Sequence, residues 1–186
     1  GRRVRWGQDE AGRELDGGQG EGETGGWRGK PVRVGQNTGE SAGAAQEDCN
    51  ELSKGEKIRV WDSAAVQAET VGTEPVAVGT RVKGASKVVG RKFDWTTEVI
   101  EFQPPTRFVS RSVEGKLEFT VTNVLEPEGD GTRLNYRIDA ASGLGGVFGK
   151  LADRFVEKAQ SRTVHANLET LAELLAEHPE YGRDDG

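Results

Sequence analysis

The residues with which this chain could move protons are few. Asp94, Glu98, Glu101, Arg107 and Arg111 fall within one short stretch, and neighbouring acids and bases can act as general acid and general base. Exposed charge pairs across adjacent strands explain the same residues more economically, so no catalytic residue is assigned. His165 lies inside a helical pattern and His178 at its end, where a packed or surface histidine accounts for each. Asp62 and Ser63 are residue types that cap turns; facing a site entrance is the alternative. Cys49 is the single cysteine, so no internal disulfide can form. With two histidines beside it, a zinc site of Cys/His type is not expected, nor is any other metal or cofactor. The glycine-rich run Gly143-Leu144-Gly145-Gly146-Val147-Phe148-Gly149-Lys150 opens a helix. It has neither the P-loop spacing nor the dinucleotide fingerprint, and it follows a strand series rather than opening a βαβ unit.

The bulk properties narrow the classes further. The formal net charge is −6 over 186 residues, with no basic cluster, which disfavours nucleic acid and anionic membranes as partners. No apolar run approaches a membrane span, and the expected location is the cytoplasm. The chain begins with Gly rather than Met, as a fragment or processed product would. Hydrophobic residues make up 33% of the chain and glycine numbers 27, about half of it before residue 44. Residues 1–43 therefore read as a poorly folding, disordered segment diluting an ordinary domain. The rival reading there is a weak strand at Pro31-Val32-Arg33-Val34.

The remaining elements must position any site. Residues 44–54 read as a short helix ending at Gly55, and Gly55 to Ser63 as a second short helix or turn anchored by Ile58, Val60 and Trp61. Strands are expected at 64–71, 80–89, 92–102, 107–113, 116–125 and 132–140, with Pro104-Pro105 as a turn. Glu114-Gly115 reads as a tight turn and Glu126 to Gly131 as a hairpin loop. Leu134, Tyr136 and Ile138 alternate with Arg133, Asn135, Arg137 and Asp139, the period of a half-buried strand. A long helix is expected from Val147 to Glu177, with Phe148, Leu151, Phe155 and Ala159, then Leu168, Leu171 and Leu175, on its apolar face. His178-Pro179 ends it. At this length it would reach roughly 45 Å and could cover a six-stranded antiparallel meander. Residues 179–186 form a polar tail.

Four stretches in this order resemble one known group: Val60-Trp61-Asp62-Ser63; Pro75-Val76-Ala77-Val78-Gly79-Thr80-Arg81; Glu98 through Phe108, reading EVIEFQPPTRF; and Gly131-Thr132-Arg133-Leu134-Asn135-Tyr136 before the long helix. Over residues 44–178 the chain is similar to the START/birch-pollen-allergen superfamily (SRPBCC), in particular its polyketide cyclase/dehydrase-like branch. The resemblance implies an α+β helix-grip fold. A curved antiparallel sheet wraps the C-terminal helix, two short helices lie near the start, and an apolar cavity separates sheet from helix. It implies binding of lipids, polyketides or other small hydrophobic molecules, with cyclase-type enzymes and non-catalytic interaction subunits as alternatives. The expected cavity lining is Trp61, Phe93, Trp95, Thr97, Val99, Phe119, Val121, Leu134, Tyr136, Ile138, Phe148, Leu151 and Phe155, with Tyr136 as the polar handle. Leu144, Val147 and Phe148 would gate this cavity on the glycine hinge. Members of the group carry a first strand before the two short helices. Here the corresponding stretch, VRVGQNTGESAG, is a poor strand, so that strand is expected to be missing or degraded and residues 1–43 to be non-authentic. An open sheet edge, with homodimerisation or aggregation, would follow.

Overall fold

The computed structural model describes residues 31–41, 45–72, 75–88, 90–128, 131–141 and 153–177. The elements run β1 (Pro31–Ser41), α1 (Ala45–Ser53), α2 (Gly55–Trp61), β2 (Ala65–Val71), β3 (Arg81–Val88), β4 (Arg91–Gln103), β5 (Arg107–Gly115), β6 (Phe119–Glu128), β7 (Gly131–Ala141) and the terminal helix α3 (Asp153–Glu177). All strands join one antiparallel sheet in the order β1-β7-β6-β5-β4-β3-β2. From β2 to β7 each strand pairs with the next in sequence, as short connections require. This is the expected helix-grip arrangement of a curved sheet, two short helices and a C-terminal helix.

One expectation is corrected. The stretch judged too poor for a strand is β1, paired with β7 from Pro31↔Ala141 to Ser41↔Thr132, with an irregularity between Arg33 and Gly35. Glycine and polar residues give this segment little intrinsic strand preference, but strand preference is largely contextual. The exposed edge of β7 offers a row of unpaired backbone groups that the segment satisfies. The sheet thus has seven strands rather than six, and β7 is an interior strand. Of the disorder expected of residues 1–43, the part at 31–41 is replaced by this strand, while residues 1–30, 42 and 43 lie outside the described residues.

Smaller differences have the same origin in backbone pairing. Glu126, Pro127 and Glu128 belong to β6 and Gly131 to β7, with Glu128 opposite Gly131, so the expected six-residue loop is mostly strand. β5 continues through Glu114 to Gly115, where a turn was expected. β4 is irregular between Thr96 and Thr97 and again between Val99 and Glu101, positions at which extra residues bend a strand.

The core lies between the sheet and α3. Val164, Leu168, Leu171 and Leu175 recur at helical spacing and are buried, together with Phe108, Leu125, Leu134 and Tyr136 from the sheet and Cys49, Leu52 and Trp61 from the short helices. Beside these, α3 lies along β1 and touches α2. The short helices are tied down by polar contacts. Lys57 Nζ meets Glu51 Oε1 at 2.7 Å, linking α2 to α1. Glu56 accepts from the Thr70 N–H and hydroxyl at 2.7 and 2.8 Å, fixing α2 to β2. Gly55 sits so close to β2 that a Cβ there would lie 2.7 Å from the backbone of Glu69 and Thr70.

Candidate functional site

A cavity of about 190 Å³ lies between the sheet and the helices. Its walls include Trp61 at the end of α2, Trp95 and Thr97 on β4, Phe119, Val121 and Asn123 on β6, and Tyr136 and Ile138 on β7. Alternation places the β6 residues on one sheet face together, and likewise those of β7. The aromatic rings meet edge to face: Trp61 and Tyr136 at 6.2 Å between centroids, Trp95 and Phe119 at 6.3 Å. Trp95 donates its indole N–H to Ser86 Oγ at 2.9 Å. Gly84 makes room for that indole, since a Cβ at Gly84 would lie 2.4 Å from Trp95 Cζ2.

Of the expected lining residues, Trp61, Trp95, Thr97, Phe119, Val121, Tyr136 and Ile138 border this cavity. Phe93, Val99 and Leu134 do not; they are buried in the packed interior. Each has the right strand parity, but parity selects a face and not a distance from the cavity. Phe148 and Leu151, the side chain of Phe155 and the glycine hinge lie outside the described residues.

The polar end of the cavity is built by Asp62 and Asn167, which had not been expected together. Asp62 caps the turn after α2, as its residue type suggested: Oδ1 accepts the Ala64 N–H at 2.9 Å. The same oxygen accepts from Asn167 Nδ2 on α3 at 2.6 Å. Asn167 Oδ1 in turn accepts the Ser63 N–H at 3.1 Å and the Ser63 hydroxyl at 2.8 Å. A backbone N–H can only donate, so the Asn167 amide is held in one orientation. Both Asp62 and Asn167 border the cavity. Burial holds the Asp62 carboxyl above the usual carboxylate range, opposed by hydrogen bonds from the Ala64 N–H, the Asn167 amide and the Ala65 N–H. Burial raises the Tyr136 phenol as well, reinforced by the charge of Asp62. Two further lining residues carry polar atoms with no hydrogen-bond partner, the Trp61 indole nitrogen and Asn123 Oδ1. Buried polar atoms are usually paired, so each of these two has hydrogen-bonding capacity left over at the cavity wall. Polarity inside an apolar strand pattern was the one sequence signal for Asn123. Asn167 offered none.

The charged residues weighed as catalysts lie elsewhere. Glu98 meets Arg81 at 2.8 Å, Glu101 meets Arg107 at 2.9 Å and Asp94 lies 3.6 Å from Lys92. Arg111 stands opposite Glu98 in register, and His165 lies 3.5 Å from Glu169 on α3. A larger hollow of about 460 Å³ opens among Glu69, Lys83, Asp94 and Glu114; its wall is largely charged, unlike that of the inner cavity. Among the described residues no cluster of His, Cys, Asp and Glu could hold a metal ion, and no helix is long and apolar enough to cross a membrane.

Residues 50–176 match the family model described as polyketide cyclase / dehydrase and lipid transport. No curated protein matches the chain. Among solved structures, TTHA0849 from Thermus thermophilus is 23% identical, with 77% of this chain and 98% of that one covered and a TM-score of 0.65. StfQ, a di-domain ARO/CYC from the steffimycin biosynthetic pathway, is 16% identical, covering 78% of this chain and 51% of that one at a TM-score of 0.62. Major latex-like protein 151 from Panax ginseng is 10% identical, covering 74% and 99% at a TM-score of 0.52. At these identities the likeness is one of fold.

Proposed function

We propose, from the premise that the chain belongs to the polyketide cyclase / dehydrase and lipid transport family, that it binds or carries a small hydrophobic molecule in the cavity between sheet and terminal helix. Its expected place of action is the cytoplasm. The observation that carries this reading is the cavity itself. A hollow of about 190 Å³ walled by Trp61, Trp95, Phe119, Val121 and Ile138 sits beside a leucine-packed core. Empty apolar space forfeits dispersion contacts and costs stability, so a ligand that fills it gains what the empty protein lacks. Native mass spectrometry of the intact chain, set against its denatured mass, tests this. A non-covalent adduct lost on denaturation is expected. A bare native mass that stays bare after incubation with small aromatic compounds would sink the carrier reading.

A second reading, an enzyme of cyclase or dehydratase type, has a specific observation in its favour. Asp62 is a half-buried carboxyl with a raised pKa at the cavity wall, close enough to Tyr136 for its charge to hold the phenol proton on. A carboxyl tuned upward is better placed than an ordinary one both to take and to return a proton. The chemistry would be proton transfer at a carbon next to a carbonyl. Deuterium incorporation into a small neutral 1,3-diketone in D2O reads it. Acceleration by the protein that disappears in Asp62→Asn is expected for an enzyme, and exchange at the buffer rate would refute it.

A further inference from the structure

The polar end of the cavity has an acceptor bias that constrains what can sit there. Ser63 forces Asn167 to present Nδ2 to Asp62. Both the Asn167 and the Ala64 donors end on Asp62 Oδ1, and a carboxylate has lone pairs for more donors than these, so Asp62 keeps acceptor capacity at the cavity wall. At the same wall, the Trp61 indole N–H is buried and unpaired, and Tyr136 adds a phenol. A group placed there can give a hydrogen bond to Asp62 and accept one from Trp61 or Tyr136. A hydroxyl is the smallest group that donates and accepts at once. A carboxylate would set a second negative charge against Asp62, and two carboxylates sharing a site oppose each other's ionisation. An ether or a plain hydrocarbon has no proton to add to the hydrogen bonds Asp62 already accepts.

Volume sets the size. A cavity near 150 Å³ lined by apolar side chains accommodates benzene, so about 190 Å³ suits one ring with a small substituent. Drug-sized ligands fill pockets of roughly 300–1,000 Å³. The walls are aromatic: Trp61, Trp95, Phe108, Phe119 and Tyr136.

We propose that the site takes a neutral, one-ring molecule bearing a hydroxyl, held with that hydroxyl against Asp62, and that it discriminates against carboxylates of the same shape. This rests on the reading that the cavity takes a ligand at all. The test is a matched series added to the full chain, followed by quenching of tryptophan fluorescence: 4-ethylphenol, 4-ethylanisole, ethylbenzene and 4-ethylbenzoate. We expect 4-ethylphenol to bind about tenfold or more tighter than ethylbenzene and 4-ethylanisole, the scale of one hydrogen bond to a charged group, and 4-ethylbenzoate to bind weakest. In Asp62→Asn the phenol should lose its advantage while ethylbenzene binds as before, which also shows that the variant folds. If Asp62→Asn fails to fold, the series on the unaltered chain decides alone. Equal binding of phenol and anisole, or benzoate binding as tightly as phenol, would overturn this inference and leave the cavity reading standing. No binding by any of the four, ethylbenzene included, would overturn both.

Discussion

Asp62 follows α2 directly, and Asn167 stands 105 residues further along the chain. Their contact joins the entry helices to α3 and makes the polar end of the cavity one connected network. Asn167 is buried, and it satisfies Ser63 and Asp62 together. Asn167→Ala would leave the Ser63 N–H and Asp62 Oδ1 short of a partner. We expect a loss on the order of 1–3 kcal/mol, read by urea denaturation, and a change within a few tenths would show the network to be peripheral. Asp62 also links stability to pH. Its folded pKa is raised, so the folded chain holds this proton more tightly than the unfolded one. Its stabilising contribution is present below the ordinary carboxylate pKa and is lost as pH rises through the raised value. Thermal midpoints of the unaltered protein and Asp62→Asn, measured against pH, should therefore shift relative to each other in the mildly acidic range, with the unaltered protein losing ground as pH rises. Glu51, also raised by burial against the pull of Lys57, is present in both and cancels. Parallel curves would contradict the assigned shift.

The helix α2 shows how an element sets a site. Its first residue, Gly55, rests on β2, and its N–H donates to Thr70 Oγ1 at 3.0 Å. Its last residue, Trp61, is thereby delivered to the cavity wall. Gly55→Ala puts a methyl group into the backbone of Glu69 and Thr70, contacts that cannot yield as a flexible side chain would. A loss of about 1–3 kcal/mol is expected, with altered Trp61 fluorescence as α2 tilts; an unchanged midpoint would show α2 free to lift from β2. Gly84→Ala should act differently, because what it meets first is the Trp95 indole. The strands on which these residues ride were legible because they alternate with period two, and the α3 leucines because they recur with period 3.6. β1 alternates only at Val32-Arg33-Val34, where a weak strand was the rival reading, and its remaining glycine and polar residues carry neither pattern.

At the scale of the molecule, β1 decides whether β7 is interior or edge. It pairs with β7 along ten register positions and lies beside α3. Deleting residues 1–41 would expose the full length of β7, which carries Leu134, Tyr136 and Ile138 on one face. Such an edge invites pairing between chains. Size-exclusion chromatography should show oligomers or aggregate for the shortened chain, with a lowered thermal midpoint. A monomer of unchanged stability would show β1 to be dispensable to the sheet. The dimerisation expected from an open edge thus attaches to the loss of β1, since in the intact sheet that side of β7 is occupied.

The sequence by itself determined the order of β2 to β7 and α3, and of the ten expected lining residues whose side chains are described, seven stand at the cavity wall. These properties are local: burial on one face writes a period into neighbouring residues, and the period can be read without knowing what covers the face. Only the tertiary structure decided the rest. β1 exists because β7 offers it a row of backbone groups, an interaction to which side-chain identity contributes little. Phe93, Val99 and Leu134 share the inward face with the lining residues yet pack away from the hollow, because sheet curvature and the line of α3 set where space remains. Asp62 reads as an ordinary turn cap until α3 brings Asn167 against it. A hydrogen bond spanning 105 residues leaves no periodic trace in either segment.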